Sequence, residues 1–236
     1  MVGDVEEQKR DAAFAAVDRY AESGMILGLG SGSTVAFAVQ RVGELLAGGG
    51  LRDVRGIPTS ERTAALAREV GVPLLSLSDA RPRLTIDGAD EIGPDLALIK
   101  GLGGALLREK IVAAASERGL VVVAEGSKPV EVLGSTAPLP VEVEPFGWEA
   151  TLEALSTLGC EPVLRMDRED PEHPFVSDGG HYTADCRFPS IPDPASLEAE
   201  IKRIPGALEC GLFVGLARAA VVARSQAEGG VEVIER

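Results

Sequence analysis

Asparagine is missing from the 236 residues altogether, and lysine is scarce: of 23 basic side chains only five are Lys (Lys9, Lys100, Lys110, Lys128 and Lys202). The missing Asn suits a thermally stressed protein, although a base composition favouring Ala, Gly and Arg codons accounts for it equally well. The lysine shortage is more useful. Where drift favours Arg, a surviving Lys is the more noteworthy for its compact, mobile ammonium. Positive charge as a whole is also short: 37 acidic residues outweigh the 23 basic ones for a net charge of −14. Generic binding to nucleic acid or to an anionic membrane needs a cationic footprint, so both are excluded as partners. Three cysteines (Cys160, Cys186, Cys210) and two histidines (His173, His181) lack C-x-x-C or H-x-x-x-H spacing, which argues against a disulfide framework or a structural zinc. No run approaches the ~18 apolar residues of a membrane span. The first twenty residues lack a basic stretch followed by an apolar core, and the expectation is a soluble, cytoplasmic protein.

What is present is a globular composition, 45% hydrophobic, long enough for one large domain or one with a smaller companion. Residues 1–130 alternate short apolar runs with amphipathic stretches. The expected strands are MILGLG, VRGIP, VPLLSL, RLTIDGAD and LVVVAEG. Helices are expected over 5–22, 33–47, from the Ser60 N-cap to Gly71, and over 105–118. That alternation predicts βαβ units around a largely parallel sheet. From about residue 131 the pattern becomes β-α-β-β-α-β, including a strand pair over FVSDGGHYTADCRF turned at Asp178–Gly180, and the order is that of a ferredoxin-like unit. The fold class is therefore α/β, Rossmann-like with flanking helices. An α/β domain (1–130 plus 208–236) carries an inserted α+β domain (131–207).

Four polar, glycine-containing segments carry candidate chemistry. Gly28–Thr34 lies between a strand and a helix, where outward-facing amides form an anion site. It lacks the third glycine of a dinucleotide fingerprint, and no P-loop Gly-Lys exists. Asp87, Asp90 and Glu91 crowd the end of a strand, as a solvated acidic turn, a ligand site or a hard-cation site. Lys100 precedes a glycine-rich turn that opens a helix, with Glu109 between Arg108 and Lys110, two cations that favour its ionised form. Lys128 ends Glu125-Gly-Ser-Lys just past a buried-type strand. Each segment has a bland reading. Together they are expected to project from one edge of one sheet toward a common crevice. Carboxylates, ammonium groups and an amide cradle, without thiol, histidine or metal cluster, suit proton transfer on a small phosphorylated substrate.

GLGSGST, DGADE, KGLGGALLREK and EGSK, in this order and with PLPVEV and IPGALECGLF, resemble the A-type ribose-5-phosphate isomerases over nearly the whole chain. The resemblance implies reversible aldose–ketose isomerisation of ribose 5-phosphate and ribulose 5-phosphate, in the non-oxidative pentose phosphate pathway, without metal or organic cofactor. It implies Glu109 as the proton acceptor that works through an enediolate, Lys100 as oxyanion stabiliser, and Asp87 as a hydroxyl partner that assists ring opening. The substrate-binding positions it implies are Ser31, Gly32, Ser33, Thr34, Asp87, Gly88, Ala89, Asp90, Lys100, Gly101, Leu102, Gly103 and Lys128. It further implies a homodimer or a dimer of dimers. Leu102 stands where many relatives have Gly, so only its backbone is expected to serve. Leu107 replaces a common Thr, and EGSK replaces a more usual acidic-x-Ser-Lys. A non-catalytic sugar-phosphate sensor is the competing class. Joint retention of Glu109, Asp87 and Lys100 favours the enzyme.

Overall fold

The computed structural model describes residues 2–225 and 230–235, with side chains from residue 5 onward. In chain order the elements are α1 (Val2–Tyr20), β1 (Ile26–Leu29), α2 (Ser33–Ala47), β2 (Arg55–Pro58), α3 (Glu61–Glu69), β3 (Leu84–Gly88), β4 (Glu91–Ile92) and β5 (Leu98–Ile99). They continue with α4 (Leu106–Ala115), β6 (Leu120–Glu125), β7 (Leu139–Val143), α5 (Trp148–Ser156), β8 (Glu161–Leu164) and β9 (Tyr182–Arg187). The last are α6 (Pro194–Ile201), β10 (Ala207–Cys210), β11 (Leu212–Phe213), β12 (Ala217–Ala223) and β13 (Val231–Glu235). The chain divides into two compact units, residues 1–89, 108–128 and 215–236, and residues 90–107 and 129–214.

The first unit is a six-stranded sheet in the order β13-β12-β6-β3-β1-β2, parallel except for the β12–β13 pair. Its central strand β6, LVVVAE, is buried at all six positions, as expected of a parallel strand covered on both faces. The helical spacing of Ala12, Ala13, Ala16 and Val17 on α1 and of Val35, Ala38, Val39 and Val42 on α2 supplies apolar stripes. They pack with Leu27, Leu84, Ile86, Val121 and Val221 of the sheet. Ser60 caps α3 as its type predicts: its hydroxyl accepts from the Thr63 N–H at 3.1 Å. VPLLSL is not a strand. It makes a single bridge, Gly56 to Leu74, because Pro73 cannot donate to a ladder.

The second unit contains the expected β-α-β-β-α-β order. β7, β8, β9 and β10 form an antiparallel sheet ordered β10-β7-β9-β8, which is the ferredoxin-like arrangement, around a core of Leu139, Val141, Val143, Leu155, Ala184 and Ile201. Asp193 caps α6 through the Ser196 N–H (3.1 Å), and Pro194 occupies the first helical position, where no donor is needed. The Ser196 hydroxyl (2.7 Å) and, less strongly, its N–H hold the Asp193 carboxyl below its ordinary range. Two expectations need correction. FVSDGG does not form the first arm of a strand pair; β9 instead pairs with β7 and β8. The second unit also reaches beyond 131–207, because β4, β5 and β11 build a further three-stranded antiparallel sheet that brings residues 90–107 and 208–214 into it. Two-residue strands carry no alternating pattern, so this sheet is invisible to periodicity.

Glu91 pins that small sheet to the segment before β7. Its carboxylate is fully buried and accepts from the N–H groups of Gly134 (2.6 Å), Thr136 (2.6 Å) and Ala137 (2.8 Å) and from the Thr136 hydroxyl (2.6 Å). Glu91→Gln keeps the shape but turns an amino group toward peptide N–H groups. The unfolding free energy measured in urea is expected to fall by about 2–3 kcal/mol. An unchanged value would mean that these bonds do not hold the segment.

Candidate active site

In the first unit, β1 is followed by β2 on one side while β3 lies on the other, which makes the gap between the carboxyl ends of β1 and β3 the sheet's switch point. The Gly30 N–H extends the pairing to Ile86 O (2.9 Å), and Asp87 then enters the gap. Its carboxylate is fully buried, and Oδ1 accepts from the Ser31 N–H (3.1 Å) and the Gly88 N–H (2.8 Å). Gly30 is required by this approach, since a β-carbon there would lie 2.1 Å from Asp87 Cγ. Gly32 has φ of 115°, a backbone open to glycine, and as the N-cap of α2 it aims the first helix amides, those of Ser33 and Thr34, out of the sheet edge. The Ser31 hydroxyl faces inward. It bonds Thr59 (2.8 Å), Ser60 (2.7 Å) and Thr63 (3.2 Å), while Thr63 Oγ1 donates to Gly30 O (2.8 Å).

Glu109 and Lys128 belong to the same unit. The chain after α4 bonds to the start of β3, with Glu117 N–H to Pro82 O (3.1 Å) and Arg118 N–H to Arg83 O (2.9 Å), so α4 runs from the carboxyl edge of the sheet toward its amino edge. Eight residues of helix rise about 12 Å, and four residues of strand about 13 Å. Glu109 therefore stands near the level of Asp87. Its side chain is almost wholly buried, in the first turn of α4, where the helix dipole favours a carboxylate. Arg108 reaches outward to Glu61 (3.0 Å), so only part of the expected cationic flank faces inward. Lys128 follows β6 at the same carboxyl edge. Its ammonium lies 3.5 Å from Glu125, whose other contact is the Ser127 hydroxyl (3.1 Å).

The Lys100 turn departs from expectation. It follows β5 of the three-stranded sheet in the second unit and not a strand of the large parallel sheet. Asp90 and Glu91 also fall in this unit, one and two residues past the boundary. Lys100 is buried, with Nζ 5.4 Å from the centre of the Phe213 ring, a cation–π contact that stabilises an ammonium away from water. Asp90 Oδ2 accepts from the Leu102 N–H (3.0 Å), and the Asp90 N–H donates to Ile99 O (2.8 Å). Gly101, Leu102, Gly103 and Gly104 form a turn closed by Gly104 N–H to Gly101 O (3.0 Å). The backbone of Leu102 is thus tied to Asp90 within the second unit.

A family model of ribose 5-phosphate isomerase A (phosphoriboisomerase A) matches residues 55–227. The ribose-5-phosphate isomerase A of Gloeobacter violaceus is 56% identical over 233 residues, covering 98% of this chain and 97% of that protein. A solved D-ribose-5-phosphate isomerase in complex with phospho-erythronic acid is 38% identical, with a TM-score of 0.93 over 98% of this chain and 99% of the other. The ribose 5-phosphate isomerase of Plasmodium falciparum is 36% identical with a TM-score of 0.92, again over 98% and 99%. The chain belongs to the ribose 5-phosphate isomerase A family.

Within this family member the remaining reactive side chains have structural work. The three cysteines are buried and none is in a disulfide, and Cys160 together with burial pushes the Cys186 thiol far up, away from the reactive thiolate. His181 Nδ1 lies 2.8 Å from Glu142, and His173 Nδ1 lies 2.8 Å from Asp170. Sequence reasoning missed the hydroxyl cluster of Thr59, Ser60 and Thr63. It also missed Gln8, whose side-chain oxygen accepts from the Gly126 N–H (3.3 Å) and steadies the Lys128 loop. The Thr-Ser pair after β2 was a readable signal, being a further polar segment past a strand of the same sheet. Gln8 lies 118 residues from its partner, and no local pattern marks it. Among the described residues no helix is long and apolar enough to cross a membrane.

Gly30→Ala is expected to push Asp87 out of its amide cradle and to lower stability by about 1–3 kcal/mol, the usual cost of overpacking. Thermal and urea denaturation read the loss. A stability equal to that of the unaltered chain would show that the β1 and β3 ends do not need this close approach.

Proposed function

We propose that the chain interconverts D-ribose 5-phosphate and D-ribulose 5-phosphate by proton transfer through an enediolate. The observation that carries the reading is the burial of two carboxylates, Asp87 and Glu109, at one level of one sheet edge. Burying a carboxylate is costly, and a fold keeps such groups where their fixed charge or proton affinity is used. Membership of the family supplies the substrate class.

The reaction needs a base that removes the C2 proton of the open-chain aldose and returns it to C1, together with donors for the charge that develops on the carbonyl oxygen. Glu109 is assigned the base. A glutamate does the same work in triosephosphate isomerase, a standard case of this chemistry on another fold. Lys100 and the N–H groups of Gly101 and Gly103 are assigned the oxyanion, where a single donor commonly supplies ~3–4 kcal/mol of transition-state stabilisation; Leu102, whose N–H holds Asp90, keeps the turn in shape. Asp87, fixed by two N–H groups, bonds a sugar hydroxyl and takes the proton exchanged on ring opening, with Gly88, Ala89 and Asp90 alongside in the same segment. The first amides of α2, the hydroxyls of Ser33 and Thr34, and Lys128 hold the phosphate, whose binding orients the reacting carbons. Ser31 serves this loop chiefly as a brace, because its N–H goes to Asp87 and its hydroxyl to the cluster below. Substrate phosphate would draw Lys128 from Glu125, a partner at the long distance of 3.5 Å.

A paired measurement tests the assignments. Glu109→Gln is expected to lower kcat for ribose 5-phosphate by at least about a hundredfold while sugar-phosphate binding stays measurable by calorimetry. Lys128→Ala is expected to act mainly on KM. Near-normal turnover in the first variant would remove Glu109 from the role, and an unaltered KM in the second would remove Lys128 from the phosphate.

A further inference from the structure

The turn that follows Lys100 is gripped from the ferredoxin-like sheet by a side chain that neither the motifs nor the proposed reaction includes. Arg165 follows β8, and its backbone is fixed by Arg165 N–H to Thr183 O (2.8 Å) and Phe175 N–H to Arg165 O (2.9 Å). Its guanidinium is largely buried and meets Asp185 with two bonds, Nε to Oδ2 (2.9 Å) and Nη2 to Oδ1. That fork fixes the plane of the group and leaves Nη1 aimed elsewhere. Nη1 donates to Gly101 O (3.0 Å) and to Leu102 O (3.3 Å). The Phe175 ring lies 5.8 Å from the guanidinium carbon and presses on Gly104, where a β-carbon would lie 2.3 Å from its Cζ.

From this geometry we infer that Arg165 is a positioning residue for isomerisation, acting through the backbone of the Lys100–Gly103 turn. In a trans peptide the carbonyl and the following N–H point opposite ways, and among the described residues no peptide bond is cis. Holding the carbonyls of Gly101 and Leu102 on the guanidinium therefore turns the N–H groups of Leu102 and Gly103 to the opposite face. The first of these meets Asp90 there (3.0 Å). A cation on each carbonyl also polarises its peptide and makes the N–H a stronger donor. The Leu102 N–H is thereby held on Asp90, and the Gly103 N–H is aimed and strengthened before substrate arrives, which is the preorganisation an oxyanion site requires. Asp185 acts one step further back by keeping the guanidinium flat against the turn.

The inference rests on the assignment of the Lys100–Gly103 amides to the sugar oxyanion, and a kinetic split tests it. In Arg165→Met, with folding checked by circular dichroism and melting, kcat for ribose 5-phosphate is expected to fall by about tenfold or more. KM should change by less than about threefold, since phosphate and hydroxyl contacts set ground-state binding. Arg165→Lys keeps the charge but loses the fork, and its kcat should lie between the two. A kcat within about twofold of the unaltered chain in a folded Arg165→Met, or a loss carried by KM alone, would overturn the inference. If Arg165→Met does not fold, Arg165→Lys decides on the same split: a kcat lowered about threefold or more at constant KM supports the role, and an unaltered kcat overturns it. Failure of the isomerase reading is separate, because the unaltered chain would then leave ribose 5-phosphate unchanged.

Discussion

One carboxylate crosses the switch point of the parallel sheet, and the candidate site of the first unit is arranged around it. Asp87 ends the buried run of β3 and accepts the N–H groups of Ser31 and Gly88, so the loops after β1 and β3 are joined by a buried acceptor. The joint dictates its surroundings. Gly30 has no side chain because the carboxylate occupies that space, and Ser31, drawn in by its N–H, drops its hydroxyl into the cluster of Thr59, Ser60 and Thr63. With the loop held from both sides, Gly32 can start α2 with its amides facing outward. A charge this deeply buried would be unfavourable if either N–H were lost.

The chain must also draw a phosphorylated sugar to a protein with a net charge of −14. The overall field works against capture, so local groups must carry it. Lysine scarcity is informative here. Lys9 pairs with the exposed Glu6 (2.7 Å) and Lys202 with the buried Glu209 (2.8 Å), whereas Lys100 lies buried against Phe213 and Lys128 sits at the sheet edge beside a loosely held glutamate.

Patterns that depend on neighbours in sequence were legible. Burial on both faces made β6 a continuous apolar run, Ser60 announced a helix start, and the β-α-β-β-α-β order of the second unit followed from period and turn residues. The glycine-rich and acidic segments stood out because each combined backbone freedom with charge. Features set by distant partners were not legible. β4, β5 and β11 are two residues each and exist through mutual pairing, so the Lys100 turn was attributed to the wrong sheet. The edge strand β13 pairs antiparallel with β12 and carries no signal that separates it from a charged tail. Glu91, read as part of an acidic cluster, is committed to peptide N–H groups more than forty residues away. Arg165 is one arginine among eighteen until its 64-residue reach to Gly101 is seen.

Proton transfer by a buried carboxylate is the central claim, and its signature is exchange with solvent. Ribose 5-phosphate incubated with the protein in deuterium oxide over many turnovers, and followed by NMR, should gain deuterium at C2 of the aldose and C1 of the ketose, with no such gain in Glu109→Gln. Isomerisation that reaches equilibrium without deuterium at either carbon would contradict the enediolate account and point to direct hydride migration.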